Sequence, residues 1–206
     1  HGLFYAPDPS SQTACTIGGN IATNSGGPHT LKNGVTSNHV LGYEMVLPDG
    51  TIEWLGVEPD GGEEVAGFDL RGAAIGSEGM FGVVTRVLVR LMKTPPAFKT
   101  FLCVFESVDE ASQAVSGIIA AGIVPAALEM MDQLITQALE EAYHFGFPLD
   151  AGAVLIVELD GLPKGVEQQA KRVEEVCRQN NASEVRLAKD DAERAALWKC
   201  RKRAFG

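Results

Sequence analysis

The sequence predicts an α+β protein of two domains, and three observations carry that prediction. After residue 96, β-rich runs alternate with runs of helical periodicity. Before it, two β-rich runs flank Pro48, Asp49 and Gly50, and a third β-rich run follows a glycine turn. Between these regions stand Pro95 and Pro96, which cannot continue a strand ladder, so the boundary is placed there and the domains are 1–95 and 96–206.

In the first domain, residues 40–47 and 51–55 form a hairpin, because Pro followed by Asp-Gly between strand-like runs is a turn. Residues 56–69 are acidic and Gly-rich and are expected as an exposed loop, and the run 83–91 is β-branched and aliphatic and is expected as a strand. In the second domain, strands are predicted at 100–105, 126–131, 153–159 and 184–187. Helices are predicted at 109–121, 133–144, 163–180 and 191–204, the first with Ala111, Val115, Ile118 and Ile119 on one face. The pattern is that of a small sheet covered by helices on one side.

The chain has 206 residues and a net charge of −10, shared evenly: residues 1–95 carry 5 Lys/Arg against 10 Asp/Glu, and residues 96–206 carry 12 against 17. A diffuse acidic balance argues against nucleic acid and anionic membrane as partners. No apolar window approaches the roughly 20 residues needed to span a bilayer. Cys15, Cys103, Cys177 and Cys200 are widely spaced and include no C-x-x-C pair, which fits a reducing compartment, with Cys103 and Cys177 as small core residues. His1, His29, His39 and His144 are too scattered to form a local metal cluster.

Residues 14–27, A-C-T-I-G-G-N-I-A-T-N-S-G-G, suit neither an ordinary helix nor a strand. Their glycines admit positive φ and close approach to bare backbone, and their Asn, Thr and Ser side chains add short hydrogen-bonding arms. Such a surface fits a large, flat, polar-edged ligand. Residues 71–82 repeat the chemistry with glycines at 76, 79 and 82 before running into the strand. That order reverses the G-x-G-x-x-G arrangement, which should follow a strand and open a helix.

The combination P-D-P-S-S-Q (7–12), C-T-I-G-G-N-I-A-T-N-S-G-G-P-H (15–29), K-N-G-V-T (32–36), L-P-D-G (47–50) and G-S-E-G-M-F-G-V-V-T (76–85) resembles the FAD-linked oxidases of the vanillyl-alcohol oxidase type, with their PCMH-type FAD-binding domain. Within that family the resemblance is strongest to the glycolate oxidase branch. It continues through P-A-A-L-E-M-M-D (125–132), V-E-L-D-G (157–161) and L-W-K-C-R-K (197–202). It implies that 1–95 is the second part of the FAD-binding domain, lacking the N-terminal subdomain. Residues 96–206 are then the first part of a ferredoxin-like α+β cap or substrate domain, lacking its C-terminal part.

Carried over by motif, the FAD contacts are Asp8, Thr16, Gly18, Gly19, Asn20, Thr23, Asn24, Ser25 and Gly26, with Glu78, Gly79, Gly82, Val83 and Val84 from the second stretch. Val83 and Val84 suit ordinary strand core equally well. Arg201 matches the family's substrate-carboxylate arginine; by itself it also reads as a cation at a helix C-terminus. The implied activity is oxidation of glycolate or a related D-2-hydroxy acid by hydride transfer to flavin. No residue is assigned as catalytic base or metal ligand, and His144 is read as a partly packed aromatic neighbour. The 206 residues alone are expected to be inactive and to hold FAD weakly or not at all. The alternative is a non-catalytic flavin-fold subunit serving as an interaction partner in a multi-subunit oxidase. The implied partners are a small 2-hydroxy acid and other subunits of a glycolate oxidase complex, and the implied location is the cytoplasm, peripheral at the inner membrane through those subunits.

Overall fold

A computed structural model describes residues 1–62 and 67–203. The centre of the expected acidic loop and the last residue of the expected final helix, Ala204, lie outside these. The chain divides into two compact units, His1–Thr94 and Pro95–Gly206.

The first unit contains β1 (Leu3–Phe4), α1 (Ile17–Thr23), α2 (Thr30–Asn33), β2 (Val40–Val46), β3 (Ile52–Gly56), α3 (Leu70–Ala74), β4 (Val83–Val89) and β5 (Met92–Lys93). Its main sheet is antiparallel in the order β3-β2-β4, and β1 pairs with β5. The β2–β3 turn forms as expected: Gly50 takes φ +85°, and the Asp49 carboxylate accepts from the Thr51 N–H at 2.9 Å. Ile21 of α1 packs with Val40, Tyr43 and Met45 of β2 and with Ala74 and Ile75.

Residues 17–23 correct the expectation that the first glycine stretch is neither helix nor strand. Thr16 caps the helix, its Oγ1 accepting from Gly19 N at 3.1 Å, and Asn24 ends it in the left-handed region at φ 47°. Capping and burial of Ile21 outweigh the poor helix propensity of two glycines. Gly18 and Gly19 therefore do not adopt positive φ; Asn24, Gly76, Glu78 and Gly79 do.

The second unit contains β6 (Ala97–Phe105), α4 (Val108–Ala120), β7 (Ala127–Asp132), α5 (Gln133–Tyr143), β8 (Ala153–Gly161), α6 (Pro163–Gln179), β9 (Glu184–Leu187) and α7 (Asp191–Arg203). The sheet order is β7-β8-β6-β9, antiparallel throughout, which is the ferredoxin-like order with α5 inserted between β7 and β8. Side chains alternate across the two central strands. Phe101, Cys103, Phe105, Leu155 and Val157 face α4 and α6, whereas Leu102, Val104, Val154 and Ile156 face α5 and α7. Helices thus cover both faces rather than one, because a run such as A-V-L-I-V, apolar at every position, must be buried on both sides. Within α4 the buried residues are Ala111, Ala114 and Ile118, and Ile119 is turned outward. Cys103 and Cys177 are fully buried, as expected of small core residues.

Candidate functional site

In the first unit, the start of α1, the end of β2, the loop after α3 and the start of β4 enclose a groove of about 320 Å³. Of the residues expected from the sequence, Thr16, Gly18, Gly19, Gly79, Gly82, Val83 and Val84 line it. Ile21, Ala22, Met45, Ala74 and Ser77, not anticipated, complete the walls. Ala22 lies one helical turn beyond Gly18, so the capping motif at Thr16 was the signal that could have found it.

The glycines of this groove serve different ends. A Cβ on Gly82 would lie 2.4 Å from the Val46 carbonyl oxygen, so packing forbids a side chain there. Gly79 takes φ +82°, a backbone conformation that side chains strain. A Cβ on Gly18 would meet only the Val84 carbonyl oxygen, at 3.5 Å, an ordinary contact, and its backbone requires no glycine. A bare position that neither packing nor φ demands, in the first turn of a helix whose leading N–H groups lack intrahelical acceptors, suits close approach by a ligand.

The other expected contacts, Asp8, Asn20, Thr23, Asn24, Ser25, Gly26 and Glu78, do not line the groove. Asn20 is buried, its side-chain oxygen accepting from Ser25 Oγ at 3.3 Å, and the hydroxyls of Thr23 and Ser25 meet at 2.7 Å. Asn24 accepts from Ser37 N at 2.9 Å. Gly26 packs on Thr30, and Glu78 is exposed with its backbone N–H on the Ala22 carbonyl at 2.8 Å. Asp8 holds His29 through Oδ2 to Nδ1 at 2.9 Å, while its buried Oδ1 has no hydrogen-bond partner among the described residues. In β2, burial above all, with the Asp69 charge second, pushes the Tyr43 hydroxyl up to about 12 against the opposing Arg71 charge. That hydroxyl donates to the Arg71 carbonyl at 2.9 Å.

In the second unit, Arg201 lies in the last turn of α7 and donates from Nε to Glu129 of β7 at 2.5 Å. Two turns earlier on the same helix, Arg194 donates from Nε and Nη2 to the fully buried Glu158 of β8 at 2.8 and 2.9 Å, and its guanidinium lies over the Phe98 ring. Thr100 and Trp198 also donate to Glu158. Neither glutamate was singled out from the sequence, although a lone Glu inside the apolar run of β8 was a legible sign of a buried charge needing partners. His144 is an exposed residue capping α5 at φ 54°, not a packed aromatic neighbour; the left-handed turn carries it out of the Tyr143–Phe145–Phe147 cluster. No three His, Cys, Asp or Glu among the described residues are arranged to hold a metal ion.

Comparison with known proteins gives the class to which the two units belong. Residues 94–206 match the FAD linked oxidases, C-terminal domain, and residues 1–56 match the FAD binding domain; the chain belongs to the FAD-linked oxidase family. It is 47% identical over 205 residues to the glycolate oxidase subunit GlcD of Escherichia coli K12, all of this chain against 40% of that protein. It is 44% identical over 204 residues to the GlcD subunit of Bacillus subtilis, 99% of this chain against 43% of that one. It thus spans about two-fifths of the length of these relatives. Among solved structures, p-cresol methylhydroxylase with substrate bound superposes with a TM-score of 0.76 at 17% identity, over 97% of this chain and 43% of the other, a likeness of fold.

Proposed function

We propose that the chain is a segment of an FAD-dependent oxidoreductase that oxidises glycolate or a related D-2-hydroxy acid. The observation that most supports this is the convergence of both glycine stretches on one groove whose Gly18 is bare without structural need. The apolar walls and open backbone fit a flat, polar-edged group such as part of FAD. When bound, FAD supplies the hydride acceptor. Residues 1–95 act as the second part of the flavin-binding domain and 96–206 as the first part of the substrate domain. Arg201 receives the substrate carboxylate, since a planar guanidinium holds a carboxylate in one geometry and so orients the α-carbon.

Association with other subunits belongs to the same proposal and is supported by the names of the relatives, which are subunits of glycolate oxidase. Among the described residues no helix is long and apolar enough to cross a membrane, and we propose a cytoplasmic location, peripheral at the inner membrane through those partners. The test is to purify the full-length protein and record its flavin absorbance, then add glycolate with a dye acceptor. A yellow protein that reduces dye in response to glycolate supports the enzyme. A colourless one would leave the non-catalytic subunit as the reading.

A further inference from the structure

Glu129 and Glu158 occupy the same face of the second sheet on adjacent strands, since Glu129 is registered with Ile156 and Ala127 with Glu158. Arg194 and Arg201, seven residues apart, lie on one face of α7 and meet these two glutamates. The two pairs are built differently. Glu158 is wholly buried and accepts from Thr100, Trp198 and two nitrogens of Arg194, which makes it a fixed anchor for the helix. Glu129 and Arg201 each keep 15% of their side-chain surface exposed, and the carboxylate meets the guanidinium at Nε.

We propose that Glu129 is a positioning residue for substrate, acting through Arg201; this rests on the carboxylate-anchor role proposed for Arg201. A carboxylate at Nε fixes the plane and direction of a guanidinium, because the group is rigid and its donors lie in that plane. Glu129 thereby sets the direction of the guanidinium before substrate arrives. Without Glu129 the long side chain is released among rotamers, and each bound substrate must order it again.

The experiment uses the full-length flavoprotein and compares Glu129→Ala, Glu129→Gln, Glu129→Asp and Arg201→Lys in steady-state oxidation of glycolate, with flavin content and melting temperature measured for each. Glu129→Ala should raise KM about ten-fold, the loss of one charged hydrogen bond's ordering, with flavin content unchanged. Glu129→Gln, which keeps an acceptor for Nε, should recover most of the affinity. Glu129→Asp, which keeps the charge but shortens the reach, should fall between them and decides the matter if the Ala variant does not fold. A KM raised by Arg201→Lys but unmoved by Glu129→Ala or Glu129→Asp overturns the positioning role and leaves the anchor standing. A KM unmoved by all four variants overturns the anchor, and the positioning role with it.

Discussion

Arg194 reaches Glu158 with two nitrogens, Nε at 2.8 Å and Nη2 at 2.9 Å, and the carboxylate they meet is completely shielded from water. The pair ties α7 to the middle of the second sheet. Removing only the acid leaves a partly buried cation whose partner is gone, so Glu158→Ala should destabilise the second unit by about 3–5 kcal/mol. Replacing both residues by leucine should cost less than the single change. Urea unfolding followed by Trp198 fluorescence measures these and the single Arg194→Leu and Glu158→Leu changes, and a double loss equal to the sum of the two single leucine losses would mean that the pair is not coupled.

Gly18 and Gly82 separate cofactor retention from folding. Gly82→Ala places a methyl group against the Val46 carbonyl and should lower stability by about 1–3 kcal/mol through overpacking. Gly18→Ala should be neutral or stabilise α1 by up to about 1 kcal/mol, because alanine is the better helix former. Gly18→Val in the full-length protein should nonetheless lose flavin. Normal FAD content in that variant would remove the first glycine stretch from the cofactor site.

Tyr43 gives the first unit a defined alkaline limit. Its hydroxyl is raised to about 12 in the folded chain, against an ordinary value near 10 in the unfolded one. Below pH 10 both states are protonated and the contribution of the buried phenol is intact. As pH rises from 10 towards 12 the unfolded state releases its proton first, so stability falls. Absorbance titration at alkaline pH should show one tyrosine near 12 that disappears in Tyr43→Phe, with the fall in stability reduced alongside it.

The 206 residues alone should fold yet bind FAD weakly and oxidise no 2-hydroxy acid. The groove in the first unit, at about 320 Å³, lies at the small end of the range for ligand pockets, whereas FAD carries a pyrophosphate, an adenine and a broad ring system. Flavin fluorescence during titration with FAD, followed by glycolate and a dye acceptor, tests this. Micromolar binding with glycolate-dependent dye reduction would show the active site to be complete within these residues.

The architecture was legible because its signals are local. Pro48 to Gly50 announces a hairpin by turn chemistry, and β8 announces a doubly covered strand by unbroken hydrophobicity, although its second layer of helices went unread. The helix at 17–23 was hidden because propensity argues against it, and only Thr16 and Asn24 at its ends reveal it. The groove was half legible: its glycines stand out in the chain, but Met45 and Ala74 reach it by tertiary packing that no spacing encodes. The contact of Arg201 with Glu129 was invisible because Glu129 lies far back in the sequence and is brought to it by strand order.

Cys103 of β6 pairs with Leu155 on one side and Val185 on the other. Strand β6 therefore waits for partners that leave the ribosome long after it does, β9 later still than β8. Such non-local closure makes for slow folding, with apolar strand faces uncovered in the interval. Stopped-flow refolding of this chain should be limited by β9 docking, so that Val185→Ala slows refolding more than it speeds unfolding. Crowded expression would then favour aggregation over maturation unless a chaperone shields β6 and β8 until β9 arrives.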